Sequence, residues 1–555
     1  MASRSAAAIE GSADSGGPWR HPDAQALERW RQMRFGMFIH WGPVSLTGHE
    51  IGWSRGRETP IEKYDNLYKE FNPTQFDAGQ WVGVAKAAGM KYIVLTTKHH
   101  DGFCLWDTKQ TDYNIMHSPF GRDVVRELSD ACKKQGIAFG AYYSVCDWHH
   151  PDFPLTSPGG KVQRAKYDLD AYNRYLLAQI RELITGYGPL LTLWCDVPQM
   201  FQGRGKGIIR LARELQPDIL INNRTGDGGD YDTPEQRIGS FNMERPWETC
   251  MTICRQWAWR PKDTLKSLEE CLQSLVRTVG GDGNFLFNVG PMPTGEIESR
   301  QVERLREMGA WLAKYGESVY GTRGGPFKPA RHVASTRKDN KVYVHILRWP
   351  EDTLKLPVLS AKIVGSRVLT GGRATVKQSE TGVEIAVPER DRQAMDTIVV
   401  LELDRPAMGI EPISVAAESL TTGKKATASN VFRNNQRYGA GKAVDGDEAT
   451  RWATDATTGA CWLEVDLGEM LTFQRAVIRE CVDFGARVKA FELQYKDGDG
   501  WKTFYSGNGI GERLEVTFEP VTARVVRLNI TEGHGGPTIY EFQLFPPDAR
   551  SVPKR

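Results

Sequence analysis

The sequence predicts an α/β protein: a (β/α)8-like barrel, then an antiparallel β-sandwich, then a second, jelly-roll-like β-sandwich. Three observations lead there. Between residues 25 and 325 short β-rich runs alternate with longer amphipathic stretches, the pattern of a parallel sheet with helices outside it. After residue 326 the helical period disappears, and short alternating strands separated by Gly, Asp and Pro replace it. No GxGxxG follows the first strand, which removes the dinucleotide-binding, doubly wound alternative.

Taken in order, residues 1–24 are Ala/Ser/Gly-rich with no apolar stretch. They read as a disordered leader rather than a signal peptide. The barrel strands are expected at 35–41, 92–100, 137–144, 190–196, 218–224, 238–244 and 285–291, with an eighth near 251–259. Helical periods fill 77–89, 122–136, 168–188 and 267–281, and one over 299–316 closes the region. Residues 326–405 form the small sandwich, "RPAMGIEP" the linker, and 412–550 the last β domain.

Composition narrows the function classes. The chain has 555 residues, 40% hydrophobic and 25% charged, with a net charge of +2. Near-balanced charge gives no footing for nucleic acid or an anionic membrane surface. No apolar run reaches the length of about 18 residues needed to span a bilayer. Nine cysteines are scattered without a CxxC pair, so neither a zinc framework nor a dense disulfide scaffold is expected, though one or two disulfides fit the count.

Polar residues collect where the strands end: His40-Trp41-Gly42, His99-His100-Asp101, Tyr142-Tyr143-Ser144, Asp196, Asn223-Arg224 and Asn288. In a barrel these ends face one mouth, where active sites of such folds lie. Alternation puts Trp194 and Asp196 on one face of their strand. A carboxylate there needs a partner or a chemical task. The next carboxylates are Asp230, Asp232 and Glu235 in "GDYDTPEQ", then Glu244 and Glu248. Two carboxyls about 5–5.5 Å apart would serve retaining glycoside hydrolysis, and about 6.5–9.5 Å would serve inversion. His40, His99, His100, His149 and His150 offer a competing metal site, but neither HxH nor HExxH occurs. Neutral imidazoles bind sugar hydroxyls equally well.

The blocks "RFGMFIHWGPVSL", "AKAAGMKYIVLTTKHHDGFCLWDTKQTDYN", "YYSVCDWHHPDF", "NNRTGDGGDYDTPEQ", "WETCMTI" and "GNFLFNVGPMPTGEI" resemble the family 29 α-L-fucosidases, retaining exo-glycosidases. The resemblance implies that Asp196 is the nucleophile and that Glu235 is the acid/base, with Glu244 and Glu248 in reserve. It implies that His40, His99 and His100 hold fucose hydroxyls, that Trp53 flanks the sugar, that Glu50 contacts a hydroxyl, and that Arg224 sits near the acid/base. Tyr143 and Trp148 are further candidates for the pocket wall. The family usually has Gly after its nucleophile; here Val197 stands there. The substrate implied is a fucosylated oligosaccharide or glycoconjugate, with linkage open, and the location extracellular or periplasmic.

The segments "ATASNVFRNNQRYGAGKAVDGDEATRWATD" and "PTIYEFQLF" resemble an F5/8 type C, galactose-binding-like module. That resemblance implies a structural Ca²⁺ held by the hard oxygens of Asp445, Asp447, Thr450 and Glu541, and no cofactor for catalysis. Rival readings are an inactive carbohydrate-binding protein on the same barrel, and a retaining glycosidase for another deoxy or galacto-configured sugar. A metal-dependent hydrolase is more distant.

Overall fold

Seven parallel strands form the sheet that carries the polar mouth: β1 (Phe35–Ile39), β2 (Tyr92–Lys98), β3 (Ala138–Ser144), β4 (Thr192–Asp196), β5 (Leu220–Ile221), β6 (Glu248–Thr252) and β7 (Asn284–Val289). Their order is β5-β4-β3-β2-β1-β7-β6. The computed structural model describes residues 22–158, 164–198, 201, 203–330, 332–349, 352–415, 419–446, 450–482 and 485–547. The chain divides into two compact units, Met1–Val415 and Ala416–Arg555.

In the first unit the helices α1 (Ala24–Met33), α2 (Ile61–Asn66), α3 (Ala78–Ala87), α4 (Val124–Gln135), α5 (Leu169–Tyr187), α6 (Gly205–Leu215), α7 (Leu268–Gly280) and α8 (Ser299–Tyr315) accompany the strands. Their starts are fixed locally. Asp23, Asp77, Asp123 and Asp168 each accept a backbone N–H at a helix N-terminus, and Ser267 with Glu270 forms a capping box. Strands covered on both sides read as continuous apolar runs, and β1, β2 and β7 are buried at every residue.

Alternation divides the strand side chains into two cores. Phe38, Tyr92, Val94, Tyr142, Trp194, Leu220, Tyr231, Cys250 and Leu286 pack together inside the barrel. Their neighbours Met37, Ile93, Ala141, Tyr143, Leu193, Cys195, Phe285 and Phe287 pack into the larger core that includes the helices. The interior is tight enough that a Cβ on Gly36 would lie 2.4 Å from the Tyr92 ring.

The ring closes through a run that the sequence reading did not mark as a strand. Residues 231–235 bridge to the β5 side through Asn222↔Tyr231 and to β6 through Asp232↔Trp247 and Glu235↔Cys250, all parallel. Pro234 lacks an N–H, so this stave cannot form an unbroken ladder. The strand expected at 238–244 is absent, and that segment crosses over Trp247, whose ring would lie 2.8 Å from a Cβ on Gly239. The strand expected near 251–259 is β6, which starts earlier and ends at Thr252.

The small sandwich follows. One sheet contains β8 (Arg323–Gly324), β9 (Val333–Lys338), β10 (Lys341–Ile346), β12 (Ile363–Val368) and β15 (Thr397–Leu403); the other contains β11 (Thr353–Leu356), β13 (Thr375–Ser379) and β14 (Gly382–Ala386). A buried ion pair ties the barrel floor to it. Asp282, beside β7, takes Arg34 Nη2 at 2.7 Å and Arg323 Nη2 at 2.6 Å.

The second unit is antiparallel throughout. β17 (Trp452–Ala453), β18 (Cys461–Glu480), β19 (Val488–Asp497), β20 (Gly500–Gly507), β21 (Leu514–Gly533) and β22 (Thr538–Phe545) run in the order β17-β22-β18-β21-β19-β20, and β16 (Lys425–Ala428) pairs with β18. Trp452, Phe473, Phe491 and Phe542 lie in its core. None of the nine cysteines is in a disulfide, and all are buried.

Candidate active site

Asp196 ends β4 pointing into the mouth. Its Oδ1 accepts Arg224 Nη1 at 2.8 Å and the Val197 N–H at 2.9 Å, and its Oδ2 accepts the Tyr142 hydroxyl at 2.9 Å. Burial pushes this carboxyl up, but the Arg224 guanidinium, His100 and the hydrogen bonds outweigh it and hold the group below its ordinary value. Val197 sits at φ 45°, a left-handed conformation that a β-branched residue rarely adopts.

Arg224 lies just beyond β5 and is fixed on every side. Nε donates to Thr233 Oγ1 at 2.8 Å and Nη2 to Thr233 O at 2.7 Å. The guanidinium carbon lies 4.9 Å from the centre of the Trp194 ring. Its Nη1 donates both to Asp196 Oδ1 and, at 2.9 Å, to Glu235 Oε2. Two oxygens held by one nitrogen are separated by at most about 5.7 Å, the sum of the two contacts, which is short of the inverting separation of about 6.5–9.5 Å and compatible with the retaining one. Glu235 arrives on the closing stave, with Tyr231 and Thr233 on the same face by alternation.

Of the other carboxylates in that region, Asp230 pairs with Arg213 and Asp232 with Arg245, so neither shares the site. Glu244 is exposed, and its carbonyl accepts Arg31 from α1. It therefore lies at the opposite end of the barrel and is not a reserve acid. Glu248 begins β6 inside the barrel, fully buried, accepting the Tyr92 hydroxyl at 2.5 Å and Trp194 Nε1 at 3.0 Å. Burial pushes its carboxyl up to about 7. It sits below Trp194 and supports the floor of the site without facing the mouth, so it too is removed from the reserve.

The histidines gather as expected. A bulge between Thr96 and Lys98 shifts the register of β2, and the strand ends before His99, so His99 and His100 both reach the mouth. Their ring centres are 3.9 Å apart, and His40 lies 5.5 Å from His99. Asn288 Nδ2 donates to Trp257 O at 2.8 Å, so its Oδ1 accepts His40 Nδ1–H at 2.6 Å. The Ser144 hydroxyl donates to Cys146 O at 2.6 Å, so it accepts His100 Nδ1–H at 2.7 Å. Both rings are thereby assigned the tautomer with a bare Nε2, an acceptor for a ligand hydroxyl. Burial pushes His40 down to about 3 and His100 down to about 4. His99 Nδ1 is buried without a hydrogen-bond partner among the described residues.

Trp53 stands edge-on to His100 and to Trp148, 5.4 Å from each. Glu50 is anchored by the backbone around it. Its carboxylate accepts the N–H groups of Ile51, Trp257 and Ala258 at 3.0, 2.8 and 3.0 Å. It pins Trp257, whose ring lies 4.7 Å from His40. Tyr143 is corrected outright: it faces the helices, donating to Gln179 Oε1 at 2.7 Å under the Lys98 ammonium. Tyr142 is the inward residue, and pairing Tyr142↔Trp194 puts it on the Asp196 face. Only the pairing with β4 separates the two adjacent tyrosines. Nothing in the sequence marked Trp257.

His149 stacks on Tyr113, and His150 lies tilted against Tyr175 with ring centres 4.2 Å apart. Among the described residues no group of three His, Cys, Asp or Glu side chains could hold a metal ion. In the second unit Asp445 accepts Thr450 Oγ1 at 2.8 Å and Lys442 Nζ at 3.1 Å, and Glu541 is buried in β22. Asp447 lies outside the described residues.

Residues 4–317 match the family described as Alpha-L-fucosidase, and residues 425–542 match the F5/8 type C domain. The plasma alpha-L-fucosidase of Homo sapiens is 32% identical over 372 residues, 60% of this chain and 78% of that one. The alpha-L-fucosidase isoenzyme 1 from Paenibacillus thiaminolyticus superposes with a TM-score of 0.64 at 33% identity, covering 68% of this chain and 99% of that one. A Bacteroides thetaiotaomicron alpha-L-fucosidase of glycoside hydrolase family 29, trapped as a covalent intermediate with 2-fluoro-fucosyl fluoride, gives 0.62 at 27% identity, covering 71% and 98%.

A histidine whose folded pKa lies below its unfolded value contributes stability present above about pH 6.5 and lost as pH falls through the folded value. For His100 that window runs from 6.5 to about 4. The buried carboxyls of Asp101 and Glu248, pushed up to about 6 and about 7, act in the opposite sense, so only a difference isolates the histidine. Between pH 6.5 and 4, urea unfolding of His100→Gln should lose less stability than the wild type, by about 3 kcal/mol. Equal losses would contradict the buried, neutral imidazole.

Proposed function

The chain belongs to the α-L-fucosidase family, and from that premise we propose which residues carry out its hydrolysis. The enzyme is a retaining α-L-fucosidase that removes terminal α-linked L-fucose from glycans through a covalent glycosyl-enzyme intermediate. No helix among the described residues is long and apolar enough to cross a membrane.

Asp196 is the nucleophile and Glu235 the acid/base. The single observation that carries this assignment is the shared contact of both carboxylates with Arg224 Nη1. In the first step an Asp196 oxygen attacks the anomeric carbon while protonated Glu235 gives its proton to the departing glycosidic oxygen. In the second, Glu235 takes a proton from water as that water displaces the Asp196 ester, releasing fucose and restoring both groups. In that first step the negative charge beside Arg224 passes from Asp196, which becomes an ester, to Glu235, which has lost its proton and acts next as base. His40 and His100 accept sugar hydroxyls through their bare Nε2 atoms, His99 adds its unpartnered Nδ1, and Trp53 flanks the ring. Glu235 is 43% exposed against 13% for Asp196, which suits a leaving group extending toward solvent.

For the C-terminal module we assign Ca²⁺ to the oxygens of Asp445, Thr450 and Glu541. The donor chemistry fits a hard cation, which would displace the Lys442 ammonium from Asp445. An extracellular or periplasmic location rests on the kinship with plasma α-L-fucosidase.

Asp196→Ala should retain the wild-type circular dichroism spectrum and lose at least about 10³-fold in kcat. Proton NMR of the wild-type reaction should show α-fucose forming first. Near-wild-type turnover of the variant, or initial β-fucose, would overturn the assignment. Chelation by EGTA should lower the melting temperature of the C-terminal unit and leave kcat on a small aryl fucoside unchanged; an unchanged melting temperature would remove the calcium.

A further inference from the structure

The stave that carries Glu235 docks on β6 rung by rung. Asp232 N–H donates to Pro246 O at 2.9 Å, Glu248 N–H to Asp232 O at 2.8 Å, Cys250 N–H to Pro234 O at 3.1 Å, and Gln236 N–H to Cys250 O at 2.9 Å. In a regular parallel ladder the next donor, Thr252 N–H, would take the backbone carbonyl of residue 236. It takes the side-chain Oε1 of Gln236 instead, at 3.3 Å. Gln236 has φ 53°, a left-handed backbone conformation that turns the chain out of the ladder. Its own side-chain carbonyl fills the vacated place.

The other end of the amide is fixed as well. Thr252 Oγ1 donates to Cys254 O at 2.5 Å, so it accepts Gln236 Nε2 at 3.2 Å. That assigns which way the amide points. Thr252 itself is buried and belongs to a strand, so the anchor is rigid. Glu235 has no comparable support: its one side-chain partner among the described residues is Arg224.

We propose that Gln236 is a positioning residue for the hydrolysis: it ends the stave one residue past Glu235, completes the β6 rung with its side chain, and so holds the Glu235 carboxyl against Arg224. The inference rests on the reading of Glu235 as acid/base. The residue after the other carboxylate, Val197, is also left-handed, and its N–H donates to Asp196 Oδ1. Backbone strain of this kind persists where the surrounding structure over-determines it, and it concentrates at functional sites.

The test compares kcat/KM, which reports the first step, on two substrates. Phenyl α-L-fucoside has a leaving group that needs a proton, and 2-chloro-4-nitrophenyl α-L-fucoside has one that barely does. Gln236 is exposed, so Gln236→Ala should leave the melting temperature near that of the wild type. It should lower kcat/KM on the phenyl substrate by about 10- to 100-fold and on the activated substrate far less. Gln236→Glu, which keeps an acceptor for Thr252 N–H, should recover most of the loss. Glu235→Gln run in parallel must show the same leaving-group selectivity more strongly. If it does, and Gln236→Ala is impaired equally on both substrates or on neither, the role of Gln236 is overturned alone. If Glu235→Gln shows no selectivity, the acid/base assignment falls and this inference falls with it.

Discussion

One guanidinium nitrogen, Arg224 Nη1, holds an oxygen of Asp196 and an oxygen of Glu235, and the proposed chemistry depends on that shared contact. It limits the distance between the two oxygens and keeps Asp196 ionised where burial would otherwise favour its proton. The constraint is transmitted downward through the barrel. Arg224 rests on the Trp194 ring, Trp194 donates to Glu248, and Glu248 is buried in the floor beside Tyr92. A buried carboxylate is costly unless satisfied, and these donors satisfy it. The hydrophobic interior of the barrel and the polar mouth are thus one stack of side chains on alternate strand positions.

Around that centre the pocket is made of acceptors whose own protons are already committed. Asn288 and Ser144 each take the Nδ1–H of a histidine because their hydrogens point elsewhere. Burial keeps both rings neutral at any pH near 7. Such a set suits a ligand rich in hydroxyl donors. Glu50 contributes indirectly by fixing the Trp257 loop behind His40.

Much of this was legible in the sequence because strands alternate. Asp196 was found as a charge at the end of a β-rich run, and the histidines as residues at neighbouring strand ends. The misses have physical causes. Tyr143 was preferred to Tyr142 because two adjacent aromatics differ only in parity, and parity is set by pairing with β4, which the sequence does not display. The closing stave carries no strand signal, because "YDTPE" has a proline, two acids and no apolar run, while its neighbour "IGSFNME" has more of a strand's composition. Glu248 read as a reserve acid because a carboxylate used to support a tryptophan from below has no local signature. Trp257 is brought to the site by two backbone bonds, from Trp257 and Ala258, to a residue some 200 positions away, which no short pattern could reveal.

The resemblance and the geometry meet at one atom, the Asp196 carboxylate oxygen proposed to bond to the sugar. Incubation with 2-deoxy-2-fluoro-α-L-fucosyl fluoride, followed by proteolysis and tandem mass spectrometry, tests this most directly. The account predicts a single 2-fluorofucosyl adduct on the Asp196 side chain, accumulating as activity is lost. An adduct on Glu235 or on any other residue, with Asp196 unmodified, would contradict it.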